Sequence, residues 1–144
     1  MHTRVFVYGT LKEGFPNFGP NTGTRIPGVF VTKDRYPLYL VGERHSPWMV
    51  NTPDKGERVV GQVFEVKPEV LERIDILQRV SAPDGYERIQ ITVRSQSPEP
   101  GDGMLVHAYL KHPRNLVGAA ILAGPLSEYT RELAALYRKR TLYG

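Results

Sequence analysis

The chain has 144 residues, enough for one domain with a buried core and too few for two ordinary ones, so a single site is sought within residues 1–144. It contains no cysteine, which excludes a disulfide framework, a thiolate metal site and a cysteine nucleophile. The 19 lysines and arginines against 15 aspartates and glutamates give a formal charge of +4, yet they are spread along the chain. The one cluster, Arg138, Lys139 and Arg140, reads as a solvated helix end without the stacking aromatics that nucleic-acid binding needs.

Residues 4–8 open the chain with an apolar, aromatic run, and because the apolar positions are successive it is expected as a central strand. The run stops at Gly9, where the backbone either turns tightly or lets a ligand come close. Beyond it the amides of Thr10 and Leu11 are free to point outward. Successive unpaired amides make a concavity suited to a carboxylate or phosphate, and a plain strand-to-turn junction is the alternative. Residues 13–23, rich in Gly, Pro and Asn, form a loop beside that turn. Weak alternation over 26–32 predicts a second strand, and 36–41 a third with Pro37 at its start. In the segment RHSPWMV that begins at Arg44, Trp48 is expected to pack in the core.

Residues 58–66 alternate as a strand through Val59, Val63 and Phe64. Pro68 and Glu69 fit a first helical turn, and Val70, Leu71, Ile74 and Leu77 recur at helical spacing, so 68–78 is predicted as an amphipathic helix. A turn at Pro83, Asp84 and Gly85 leads to a strand over 86–94, with Ile89, Ile91 and Val93 on one face. Residues 95–103 read as an exposed hairpin connection and 104–110 as the next strand. Residues 113–124, small and apolar but broken by Gly118 and Gly124, are ambiguous. Ser127 reads as the cap of a closing helix over 127–140 with Leu133, Leu136 and Tyr137 on one side. Short strands outnumbering helices imply an α+β fold, a small mixed β-barrel with a few short helices packed outside.

No segment approaches the roughly 18 consecutive apolar residues of a membrane span, and the opening MHTRVFVYG runs straight into a strand, so a soluble cytoplasmic protein with no membrane partner is expected. His2, His45, His107 and His112 lack metal-ligand spacing, and no acyl-transfer serine motif, phosphate-binding loop or dinucleotide fingerprint occurs; no metal and no cofactor are expected.

Four stretches taken together resemble the gamma-glutamyl cyclotransferase-like family, and within it most of all the gamma-glutamylamine cyclotransferases. They are VFVYGTLKEGFPN, YPLYLVGERHSPWMV, VVGQVFEV, and VLERIDILQ followed by GYERIQITV, spanning roughly residues 5–93, with a weaker match at HAYL. The resemblance implies a compact barrel with its pocket at one mouth. It implies a small gamma-glutamyl substrate whose free α-amine attacks its own γ-carbonyl, giving 5-oxoproline and a released amine. The backbone of Tyr8, Gly9, Thr10 and Leu11 would hold the substrate α-carboxylate and the developing lactam, with Tyr86 and Tyr109 also lining the site.

The family's acid/base is a glutamate closing a helix in a pattern like LDxLE. Here that helix reads Ile74, Asp75, Ile76, Leu77, Gln78, so a carboxamide stands at the catalytic position. A carboxamide can hold a hydrogen bond but cannot cycle a proton near neutral pH. Three readings stay open: an engineered Glu-to-Gln variant, a natural binding or regulatory module without turnover, and takeover of the role by Asp75, Asp84 or Glu87. The identity of the leaving amine and the oligomeric state are not legible.

Overall fold

A computed structural model of the chain describes residues 3–19, 23–96 and 103–138. The opening strand, Thr3–Val7 (β1), is the hub: Val5, Phe6 and Val7 are all buried because both of its faces meet apolar neighbours. Phe6 points with Tyr8 into the barrel core, whereas Val5 and Val7 point outward beneath the helix Pro68–Leu77 (α1), beside Val70 and Ile74. That two-sided burial explains an unbroken apolar run where a half-exposed strand would alternate.

β1 pairs antiparallel with Val60–Val66 and parallel with Met104–Leu110, Val5 lying opposite His107. Met104–Leu110 pairs in turn with Glu87–Ser95, which pairs with Phe30–Thr32, which returns to Val60–Val66. Five strands therefore close into a mixed barrel, and the short piece Thr24–Arg25 adds to Val60–Val66. In chain order the short piece is β2, Phe30–Thr32 β3, Val60–Val66 β6, Glu87–Ser95 β7 and Met104–Leu110 β8. A second, three-stranded sheet is built from Leu38–Val41 (β4), Ser46–Met49 (β5) and Ile121–Ala123 (β9), with β4 in the middle. The expected architecture is the one observed.

Several boundaries differ from the sequence reading. Of the strand expected over 26–32 only Phe30–Thr32 (β3) is strand; β2, Thr24–Arg25, precedes that range, and between the two Pro27 has no amide and Gly28 adopts a φ of 102°. The strand expected over 36–41 begins at Leu38; Tyr36 makes only an isolated bridge to Glu57. Residues 113–124 resolve into a 3-10 turn, Pro113–Leu116, and β9. The closing helix is one turn, Arg131–Ala134 (α2), capped by Thr130 instead of Ser127. Its late start has a packing cause: Tyr129 is fully buried in the barrel core, and the Ser127 carbonyl accepts from the Val60 amide at 2.8 Å, so the chain stays extended up to Thr130. Residues 97–102 of the expected hairpin connection, and Lys139 and Arg140 of the basic cluster, lie outside the described residues.

Candidate functional site

β1 ends at Val7, and after Tyr8 the chain turns, Lys12 N donating to the Gly9 carbonyl at 3.1 Å. A Cβ at Gly9 would lie 2.7 Å from Cγ of Pro47 on β5, and Gly9 has no positive φ, so close approach of the proline ring is what demands glycine here. Asn17 fixes the turn from outside: its amide donates to the Thr10 carbonyl at 2.8 Å and its side chain to Thr10 Oγ1 at 2.9 Å. The N–H groups of Thr10 and Leu11 are left without an acceptor among the described residues.

The opposite wall is the end of α1. Gln78 caps the helix, its amide bonded to the Ile74 carbonyl at 2.9 Å, and its own carbonyl accepts from Tyr86 N at 3.0 Å. The intervening turn closes so tightly that a Cβ at Gly85 would meet the Arg79 carbonyl oxygen. The Gln78 side chain has no hydrogen-bond partner among the described residues. It lines, with Tyr8, Gly9, Thr10, Leu11, Tyr86 and Tyr109, a small cavity that Phe6, Val7 and Pro47 complete. Residues far apart in the chain, the turn after β1 and the tip of α1, thus face one space.

The three tyrosine hydroxyls of this cavity donate to the protein. Tyr8 Oη donates to the Tyr109 carbonyl at 2.7 Å and accepts from Met49 N at 3.3 Å; Tyr86 Oη donates to the Pro47 carbonyl at 2.9 Å; Tyr109 Oη donates to Asp75 Oδ1 at 2.7 Å. Burial pushes all three phenols above their ordinary range, helped at Tyr109 by the hydrogen bond to Asp75, so they stay protonated at neutral pH. They hold the walls together rather than supply a base.

None of the three alternative carboxylates, Asp75, Asp84 and Glu87, lines this inner cavity. Asp75 is taken up by Tyr109 and by Arg88, 3.5 Å from Oδ2. Asp84 is largely exposed, and its hydrogen bond from Arg79 at 3.0 Å holds its carboxyl below the usual carboxylate range. Glu87 lines a separate depression with Val80 and His112.

The cavity adjoins an outer chamber that shares Thr10, Pro47, Gln78 and Tyr86 with it and adds Asn17, Arg44, Ser46, Leu77, Arg79, Asp84, Gly85, Lys111 and Tyr137. Arg44 and Pro47 belong to the segment RHSPWMV, which the sequence reading expects to shape the pocket without naming them singly, whereas Lys111 and Tyr137 are absent from the sequence-based site. Leu77, expected on the apolar face of α1, overhangs this chamber and is 41% exposed. Trp48 also departs from expectation: it is half-buried on β5, and the Lys111 ammonium sits 4.4 Å from the centroid of its ring and 4.4 Å from that of Tyr86. A tryptophan beside proline carries no signal of a cation 63 residues later, and only the parallel bridge between Val50 and Lys111 brings the two together. Among the described residues no group of three His, Cys, Asp or Glu side chains could hold a metal, and no helix is long and apolar enough to cross a membrane.

Residues 5–132 match the family model described as gamma-glutamyl cyclotransferase, AIG2-like. The chain is 39% identical over 94 residues to a gamma-glutamylaminecyclotransferase of Bos taurus, covering 62% of this chain and 55% of that protein. It is 33% identical over 114 residues to the gamma-glutamylaminecyclotransferase of Rattus norvegicus, covering 73% of this chain and 75% of that one. In three dimensions it is similar to the crystal structure of an AIG2-like protein from Mus musculus, with a TM-score of 0.77 and 29% identity over 96% of this chain and 97% of that chain. The chain spans about half to two thirds of the length of several of the curated relatives it matches.

Proposed function

The chain belongs to the gamma-glutamyl cyclotransferase, AIG2-like family, and from that premise we propose that its inner cavity binds a gamma-glutamyl amide and folds it for intramolecular aminolysis. In that reaction the α-amine loses a proton and forms a bond to the γ-carbonyl carbon. The bond from that carbon to the leaving nitrogen then breaks, the leaving nitrogen takes up a proton, and 5-oxoproline and a free amine result. Both reacting groups belong to one molecule, so the protein contributes pose and proton transfer.

The observation that carries this reading is the pairing of two acceptor-less amides, Thr10 and Leu11, with the unpartnered side chain of Gln78 across one small cavity. The amides suit the α-carboxylate, since adjacent N–H dipoles favour an anion. Gln78 Oε1 suits the α-ammonium, which it accepts from without taking the proton. Catalysis by this chain is therefore limited by the missing proton acceptor at position 78, and Gln78→Glu supplies one without changing the shape of the wall.

The test is release of 5-oxoproline from several gamma-glutamylamines by the chain and by Gln78→Glu. A gain of about a hundredfold or more in the variant, the range general-base catalysis contributes, supports the assignment. Absence of product from both, with substrate still bound in a calorimetric titration, supports instead a gamma-glutamyl-binding module; absence of binding overturns the site itself.

A further inference from the structure

Lys12 follows directly on the turn that carries the free amides, yet it lines neither the inner cavity nor the outer chamber, and the proposed reaction gives its side chain no part. It lines instead a separate open depression between that turn and the segment around Thr130, one that shares no residue with the other two spaces. The charged groups around it there are Glu13, Arg25, Glu128, Arg131 and Glu132.

The surroundings of Lys12 suit an amine better than an ammonium. The residue is 4% exposed, its Nζ donates to the Tyr129 carbonyl at 2.6 Å, and the same nitrogen stands 4.3 Å from the centroid of the Phe15 ring. An ammonium carries three N–H donors, and the described residues supply a neutral acceptor for one of them. No carboxylate among the described residues lies within ion-pair distance of Nζ: Glu13 faces Arg25 at 3.9 Å. Burial brings the ammonium down to about 8; the Glu128 carboxylate opposes that fall and the Arg131 and Arg25 guanidiniums add to it. A lysine desolvated beside other cations is an activated nucleophile.

We propose that Lys12 is an acylation site, its amine taking a short acyl group from an acyl phosphate or a thioester. The Nζ lone pair forms a bond to the acyl carbon, the bond from that carbon to the phosphate oxygen or thiolate sulfur breaks with its electron pair, and the nitrogen loses one proton to solvent. The product fits the site: a secondary amide is uncharged and keeps a single N–H, which is what the Tyr129 carbonyl accepts. The inference does not depend on what the inner cavity binds.

The test treats the folded chain at pH 7.5 with acetyl phosphate in one arm and an acetyl thioester of N-acetylcysteamine in the other, and follows each lysine by peptide mass spectrometry. At that pH about a quarter of the Lys12 amines are neutral, against about one in a thousand for an amine titrating at 10.5. Lower basicity and burial offset part of this advantage, so the initial rate at Lys12 should exceed those at the exposed Lys33, Lys55 and Lys67 by about tenfold, and its pH profile should bend near 8. Glu128→Gln should raise the Lys12 rate and Arg131→Gln lower it, each about two- to threefold, opposite signs that mere loosening of the depression would not produce. The arm that reacts identifies the donor. A Lys12 left unmodified, or modified no faster than the exposed lysines in both arms, overturns the proposal, and so does a Lys12 rate that both variants change in the same direction or leave unchanged.

Discussion

Gly9→Ala examines the contact on which the inner cavity is built. The added methyl would sit 2.7 Å from Pro47 Cγ and 3.3 Å from its Cβ, and the proline ring cannot rotate away as a flexible side chain would. Pro47 is also pinned on both sides, opposite Leu40 in the β4–β5 ladder and by the hydrogen bond its carbonyl accepts from Tyr86. Because Gly9 has no positive φ, alanine costs nothing in backbone strain there, and the whole effect is overpacking of about 1–3 kcal/mol. With a urea slope of about 1.5 kcal/mol/M, a loss of about 2 kcal/mol lowers the unfolding midpoint by about 1.3 M at unchanged slope. Pro47→Ala in the same chain removes the clashing Cγ, so a double-mutant cycle should show a favourable coupling of about 1 kcal/mol or more. A Gly9→Ala variant as stable as the parent, or a cycle with no coupling, would show that β5 does not press on the turn as described, and the cavity wall built from Pro47 would fall with it.

Further consequences can be measured on the same protein. Tyr109→Phe removes the donor to Asp75 and should cost about 1 kcal/mol in urea unfolding, with Asp75 left to Arg88; a variant within a few tenths of the parent would mean that this bond does not stabilise α1 against β8. Burial brings the Lys12 ammonium down to about 8, while the amine of an unfolded chain titrates near 10.5. Between those pH values the unfolded state holds a proton that the folded state has shed, so this group makes the fold more stable as pH rises through the window. Measured between pH 7 and 10, the stability of the chain relative to Lys12→Met should climb, and a flat difference would contradict it. The buried phenols of Tyr8, Tyr86, Tyr109 and Tyr129, all raised by burial, act in the opposite sense: their contribution is complete below about pH 10 and is lost above it, so unfolding followed by tyrosinate absorbance should begin on the alkaline side of 10.

Local pattern sufficed for the elements whose physics is local. The helix Pro68–Leu77 is marked by its N1 proline and its spaced apolar residues, and β8, Met104–Leu110, has the boundaries its apolar run suggested. The turn after β1 and the tip of α1 could be named as pocket walls because the motif YGTL and the pattern ending at Gln78 resemble known segments, and both line the inner cavity. The closing helix shows where this stops: Leu133, Leu136 and Tyr137 have helical spacing, yet insertion of Tyr129 into the core delays the helix until Arg131, it ends at Ala134, and Tyr137 beyond it lines the outer chamber.

What tertiary structure alone decided is everything that depends on residues distant in the chain arriving at one place. Tyr8 Oη reaches the carbonyl of Tyr109 across 101 positions, Asn17 reaches Tyr137 across 120, and Arg44 reaches Tyr137 across 93. Sequence periodicity reports which face of an element is apolar, because burial is averaged over a turn or a pleat. It cannot report which partner that face meets, since closing the barrel is a collective outcome of many weak contacts. Positions 9, 10, 11 and 78 could be named as neighbours of one cavity because the resemblance placed them there, and the full lining of the chamber outside them could not.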